Sequence, residues 1–285
     1  RKTRKTRRAP MPAESTRYFV RFRLYHRILH IMVIVSFLGL ALTGMSLKFS
    51  GQDWGVWLSW VMGGPMASRF LHRLFAVVTF LYFGLHVLWI IRSWIKDGFK
   101  KTFWGPDSIM PQFIDIKQMF QNVKYFLGKG PQPKFDKYTY WEKFDYFAVF
   151  WGVAIIGSTG LVLWFPVLFA HFLPGILINA AVIVHSDEAL LAVGFIFTIH
   201  FFNTHLRPEK FPMDKVIFTG RVTEEELKNE RPAEYERLVA SGRLEKIETT
   251  EAKHWVYTAA RIGGFTAVTI GLILVIMIIY ALIAG

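Results

Sequence analysis

The chain has 285 residues, of which 53% are hydrophobic and 16% aromatic, and 34 Lys+Arg against 21 Asp+Glu give it a formal charge of +13 with no cysteine. A soluble domain runs at roughly 45–50% apolar residues; here the excess is gathered into about five nearly uncharged runs of some 20 residues, the length that crosses a hydrocarbon layer of about 30 Å. A soluble enzyme is excluded, and with zero cysteines so are a four-cysteine zinc site, an iron–sulfur cluster, a covalent CxxCH haem and a disulfide.

Residues 1–27 form a basic segment with ten Lys/Arg. Arg1–Arg8 is followed by Ala-Pro-Met-Pro and further charge, unlike a cleaved signal peptide. Residues 28–205 read as a transmembrane core. Its first span is Ile28–Leu47, followed by connection 48–69 with only Lys48 and Arg69 as basic residues, and then by a second span, Phe70–Ile91. Connection 92–145 carries ten basic residues. Within it, Ser108 opens a stretch with Ile109, Phe113, Ile116, Met119, Phe120, Val123, Phe126 and Leu127 at helical spacing. That pattern predicts an amphipathic helix against the inner leaflet or a partner subunit, stopped by Gly128-Lys-Gly-Pro. Spans three and four are Phe147–Phe165 and Ile176–Phe202, separated by a sparse loop at 166–175. Segment 206–255 again carries ten basic residues. Thr223-Glu-Glu-Glu226 fits a capping box and predicts a helix start, and Arg231-Pro232 predicts a break. A fifth span, Val256–Ala284, lies in the C-terminal unit 256–285.

The fold class expected is therefore an all-α integral membrane bundle of five helices, a four-helix core plus one C-terminal helix. By the positive-inside rule the N-terminus and both long basic segments face the cytoplasm, while the sparse loops and the C-terminus lie outside. The charge of +13 is then a topology signal, and no nucleic-acid partner is expected. The protein belongs in a bacterial-type inner membrane as a multi-pass chain.

Nine histidines occur, and ionisable groups inside a bilayer mark function by default. His72 and His86 lie in the second span, His185 and His200 in the fourth, and His30 at the start of the first. His72 and His86 are 14 residues apart, four turns less about 40° and roughly 21 Å along the axis. His185 and His200 are 15 apart, four turns plus about 60° and roughly 22 Å. The two spans run in the same direction, so His72 is level with His185 and His86 with His200. Level pairs of imidazoles across a bundle suit axial ligation of two stacked b haems. A zinc or di-metal site would instead need three or four converging ligands.

Arg27-Ile-Leu-His30-Ile, Leu42-Thr43-Gly44, Arg69-Phe-Leu-His72, His185-Ser, His200 and the tail Phe218-Thr-Gly-Arg-Val-Thr resemble the membrane cytochrome b subunits of respiratory formate dehydrogenases, nickel–iron hydrogenases and thiosulfate reductases. The resemblance covers residues 18–240 and implies ligation of two haems by His30, His72, His185 and His200. His86 and the 14/15 spacing are more similar to cytochrome b of bc-type complexes, in which spans two and four supply all four ligands. Both resemblances give an outer haem between His72 and His185. The inner haem stays open between His86 with His200 and His30 with His200. His205, five residues past His200, is expected to point about 140° away, leaving it a third haem with His30, a quinone pocket, or an interfacial position.

Haem propionates need cationic partners, for which Arg27, Arg69 and Arg73 are candidates. Asn203, His205 and Arg207, at the cytoplasmic end of the fourth span, are candidates for a quinone site. The reading is a di-haem cytochrome b, the quinone-reactive subunit of an oxidoreductase complex, passing electrons between a quinone such as menaquinol and an outer-face partner. That partner, a multihaem cytochrome c or an iron–sulfur subunit, would dock near Trp54, Trp57 and Trp60. The rival readings are a histidine-lined proton-relay transporter and a structural anchor without haem.

Overall fold

A computed structural model describes residues 16–208 and 210–284. Five of its helices are long and apolar enough to cross a membrane: Leu24–Lys48, Pro65–Asp97, Tyr140–Trp164, Gly175–Leu206 and His254–Ile283. Each starts or ends beyond the uncharged run that marks it in the sequence, because polar residues continue a helix past the hydrocarbon once its hydrogen-bond ladder is propagating. The all-α membrane bundle is the observed architecture.

The bundle is assembled from pairs. The first span packs along the second, and the third along the fourth. The first and fourth spans then meet, and the fifth joins them through a core that includes Ala41, Met45, Val193, Phe197, Phe201 and Leu274. Much of the remaining apolar side-chain surface points outward, as a lipid-facing surface must.

Two spans are not uniform α-helix. The third widens into a π-turn over Val153–Gly157. The fourth does so twice, over Ile196–His200 and Phe202–Leu206. Such turns frequently accompany functional sites, since each shifts the phase of everything beyond it.

On the side of the long basic segments a small unit is tied to the bundle. Strand β1 (Tyr18–Val20) sits between β2 (Arg221–Thr223) and β3 (Glu248–Thr249), antiparallel to both, with Phe19 opposite Val222 and Glu248. Phe19, Val222, Leu227, Leu238 and Leu244 form its core. Segments 1–27 and 206–255, separate in the sequence reading, thus join in one sheet. The sequence offered no pairing signal, because strands of two or three residues carry too few positions to show alternation. Thr223 caps the helix Glu224–Glu230 through its expected box with Glu226, and Pro232 opens the next helix, Pro232–Ala240. Connection 48–69 holds a helix, Asp53–Val61, for which the sequence reading has no element.

Candidate haem and quinone sites

His30, His72, His86, His185, His200 and His205 all line one cavity of about 1500 Å³. It reaches from Lys48, Arg69 and Ser186 at one end to Arg207, Lys210 and Asp214 at the other, so it traverses the bundle from side to side.

At the Lys48 end, the outer one by the positive-inside reading, His72 and His185 face each other with ring centroids 6.2 Å apart and planes at 77°. Each ring is held by its Nδ1. His72 Nδ1 lies 2.9 Å from Thr43 Oγ1. That hydroxyl donates its own proton to the Gly39 carbonyl at 2.6 Å, so toward the imidazole it acts as acceptor. His185 Nδ1 donates to the Ile156 carbonyl at 3.0 Å, an acceptor inside the π-turn of the third span. Thr159 Oγ1 is 3.4 Å from the same nitrogen and bonds back to Ile155 O at 2.6 Å. A proton fixed on Nδ1 leaves Nε2 with its lone pair, the form that ligates iron.

Room for both rings is made by glycine. A Cβ at Gly44 would stand 3.3 Å from His72 Cε1, and one at Gly160 would stand 3.0 Å from His185 Cε1. Thr43-Gly44 on the first span and Thr159-Gly160 on the third therefore do the same work for the histidine of the neighbouring span. The pair also passes a fit test for axial haem ligation. Two metal–nitrogen bonds of about 2 Å, plus roughly 1.1 Å from each nitrogen to its ring centre, separate the centroids by about 6 Å.

The inner end is built differently. His200 Nδ1 pairs with Asp145 Oδ2 at 2.9 Å. His30 is set edge-on to Phe218 at 6.1 Å, and its Nδ1 is buried without a polar partner among the described residues. His30, His200 and His205 lie within electrostatic range of one another. His205 Nδ1 donates to Pro212 O at 3.0 Å and its ring packs on Phe201 at 4.7 Å. His86 forms a second group: its Nε2 meets Tyr146 Oη at 2.9 Å, and its ring lies parallel to Trp89 at 5.8 Å. His26 sits edge-on to that indole at 5.0 Å, half-buried in the protein.

The π-turns correct one expectation. On a uniform helix His205 would be turned about 140° from His200. A turn closed by i→i+5 bonds advances only about 80° per residue, so five residues bring His205 within roughly 40° of His200. Both imidazoles line the same cavity. The turn over Ile196–His200 likewise removes about one residue's rotation between His185 and His200, returning their 15-residue offset to the phase of the 14-residue offset between His72 and His86.

The other candidates are distributed along the cavity. Arg69 and Arg73 line its outer part, with the Arg73 guanidinium 5.5 Å from the Trp164 ring centre. Arg27 instead donates from Nε to Phe218 O at 2.8 Å, next to His30. Asn203, His205 and Arg207 line the inner end. Beside them Lys210 bridges Asp214 at 3.0 Å and Glu230 at 2.6 Å; burial works against its charge, but the two carboxylates hold its pKa above the usual lysine value. At the neighbouring mouth, burial pushes Tyr138 up to about 12 and holds Lys137 low. Asp107, though half-buried, is kept below the usual carboxylate range by Arg237 and Lys137. Among the expected docking aromatics, Trp57 and Trp60 are exposed, while Trp54 packs inward on Phe49 at 5.0 Å.

Asp145, Tyr146 and Thr159 have no place in the sequence reading, and Thr43 enters it only within Leu42-Thr43-Gly44, with no role of its own. Asp145 lies two residues before the uncharged run of the third span, and an acid at such an edge is readily taken for a headgroup contact. Threonine and glycine inside a span are ordinary packing residues, so only the partner histidine reveals their use.

The family model described as prokaryotic cytochrome b561 matches residues 21–207, the stretch that holds all these histidines. The nitrate-inducible formate dehydrogenase cytochrome b556(Fdn) subunit of Escherichia coli (strain K12) is 21% identical over 179 residues, 63% of this chain and 74% of that protein. The same subunit in Escherichia coli O157:H7 and in Shigella flexneri matches to the same extent.

Proposed function

We propose, since the chain belongs to the prokaryotic cytochrome b561 family, that it carries two b haems in line across the membrane and joins a quinone to an outer-face partner. At the coarser level it is a membrane cytochrome b electron-transfer subunit of a respiratory oxidoreductase, and a multi-pass bacterial membrane protein. The observation that carries the finer reading is the opposition of His72 and His185 at 6.2 Å, each with Nδ1 engaged and Nε2 left for iron. A b haem held there supplies one-electron exchange at the outer side.

For the inner haem the reading pairs His30 with His200. Asp145 orients His200 as a carboxylate orients a ligating imidazole. His30 lines the same cavity, its Nδ1 buried with no polar partner among the described residues, whereas His86 is engaged through Nε2 by Tyr146. His205, Asn203 and Arg207 then serve the quinone head, where hydrogen-bonding and proton-exchanging groups are required. Arg69 and Arg73 face the propionates of the outer haem.

The termini follow from the basic segments: N-terminus cytoplasmic, C-terminus outside. A cysteine-free chain holds neither iron–sulfur nor c-type centres, so electrons reach or leave it through another subunit. The relatives are named as formate dehydrogenase subunits, and that chemistry favours an iron–sulfur subunit over a multihaem cytochrome c. The partner surface is the outer one bearing Trp57 and Trp60. A reduced-minus-oxidised spectrum with pyridine haemochrome quantitation on the purified chain tests the reading. Two b haems per chain support it, and a chain without b haem overturns it.

A further inference from the structure

The helix Phe113–Phe126 is assembled in the opposite sense to a helix of a soluble domain. Its buried residues are polar, Asp115 and Asn122. Both Asp115 oxygens accept from buried Lys143 Nζ, at 2.9 and 3.1 Å. Asn122 Nδ2 donates to Tyr140 Oη at 3.1 Å. Lys143 and Tyr140 belong to the first turn of the third span, so this helix is fastened by its polar side to the point where that span leaves the membrane.

The apolar side chains face away from the protein: Phe113 is 82% exposed, Phe120 60%, Ile116 54%, Val123 48% and Leu127 63%. At about 100° per residue, with Asp115 at zero, these five fall between roughly 80° and 160°. Lys124 and Lys117 border that stripe at roughly 180° and −160°, and Gln118 and Gln121 lie at about −60° and −120°. One side meets the protein, the next is apolar and edged with lysine, and the last sets half-buried Gln118 and Gln121 beside Ile114 and Tyr125. The start of the helix is tied beside an exposed aromatic collar at the end of the second span, Trp94, Phe99 and Trp104, by Gln112 Nε2, which donates to Gly105 O at 3.3 Å. Lys96, Lys100 and Lys101 are interspersed with that collar in the sequence, and Lys129 follows the helix.

We infer that this helix lies in the plane of the bilayer surface, with Phe113, Ile116, Phe120, Val123 and Leu127 among the acyl chains and Lys117 and Lys124 on anionic headgroups. An interfacial helix has this division between an apolar arc and a basic border, and lysines beside an apolar stripe reach outward to headgroups while their methylenes stay in the hydrocarbon. The occupant is lipid because the helix starts beside the collar at the end of a span and because its border is cationic. None of this depends on haem content.

The absence of native cysteine makes the test direct. Full-length chains carrying Phe120→Cys, Leu127→Cys or, as a control off the apolar stripe, Gln121→Cys are labelled with a polarity-sensitive fluorophore. They are then placed in nanodiscs of phosphatidylethanolamine and phosphatidylglycerol. Labels at 120 and 127 are expected to emit at shorter wavelength than the label at 121 and to lose about half of their intensity to shallow spin-labelled lipid, while iodide quenches only position 121. Iodide quenching at 120 and 127 equal to that at 121 overturns the inference. So does shielding from iodide without quenching by spin-labelled lipid, which identifies a protein as the cover. Two independent positions guard against one variant failing to fold.

Discussion

The two ends of the cavity hold their histidines by different means. The outer end uses neutral partners: a threonine hydroxyl on His72 and a backbone carbonyl on His185, with Gly44 and Gly160 giving each ring its space. The inner end uses a carboxylate, Asp145, on His200 and offers His30, His86 and His205 as further imidazoles. A neutral clamp fixes the tautomer and little else. A carboxylate also favours the more positive state of whatever its histidine ligates. On the proposed assignment, the chain therefore separates the two haems in potential through their surroundings while keeping the ligand type the same.

Removing a ligand gives the largest effect and breaks the comparison outright. His72→Ala or His185→Ala is expected to remove one of two haems, halving the haemochrome yield, with the inner haem's spectrum retained. At the inner end His30→Ala and His200→Ala are expected to do the same for the other haem, whereas His86→Ala keeps both. Loss of a haem in His86→Ala together with its retention in His30→Ala would transfer the ligand role to His86.

Asp145→Asn addresses the carboxylate alone. It keeps an oxygen near His200 Nδ1, now 2.9 Å from Asp145 Oδ2, but removes a negative charge. The midpoint potential of the inner haem is expected to rise by about 60 mV, a tenfold change for a one-electron couple, while the outer potential stays put. Redox titration followed optically separates the two. An equal rise in both potentials would mean that the charge acts at long range and that the ends are not insulated from each other.

Much of this was legible before the structure. Five uncharged runs and the level pairing of His72 with His185 follow from composition and a constant rotation per residue. What failed was the constancy. The π-turns in the fourth span have no sequence signature, since an extra residue per turn changes phase without changing residue type, and they turn His205 back toward His200. The use of the Thr-Gly pairs as cradles was hidden for a related reason. Thr43-Gly44 and Thr159-Gly160 are two-residue echoes 116 positions apart, far below what an internal repeat needs to stand out, yet in space they bracket the two outer histidines alike.

Filling the cradles should separate them by degree. A Cβ at Gly160 meets His185 Cε1 at 3.0 Å, whereas one at Gly44 meets His72 Cε1 at 3.3 Å. Gly160→Ala is thus expected to displace its imidazole more than Gly44→Ala does. Overpacking costs about 1–3 kcal/mol, and its signature is a broadened outer-haem EPR signal and a lower melting temperature, both larger for Gly160→Ala. The reverse order would show that the third span yields more easily than the first.

The smallest effects belong to the threonines. Thr43→Val keeps the shape at the cradle but removes the oxygen 2.9 Å from His72 Nδ1. His72 then loses the acceptor that fixes its tautomer, and outer-haem affinity is expected to fall about tenfold, with Thr43→Ser restoring it. Thr159→Val should fall well short of that. Its hydroxyl stands 3.4 Å from His185 Nδ1, and the Ile156 carbonyl holds the same nitrogen at 3.0 Å, so the proton keeps an acceptor when the hydroxyl is gone. Haem-retention titrations on the two valine variants therefore measure whether a backbone carbonyl, exposed by a π-turn, replaces a side chain as the ligand's anchor. Equal losses in both would mean that Ile156 does not anchor His185 and that the two cradles work by the same hydroxyl after all.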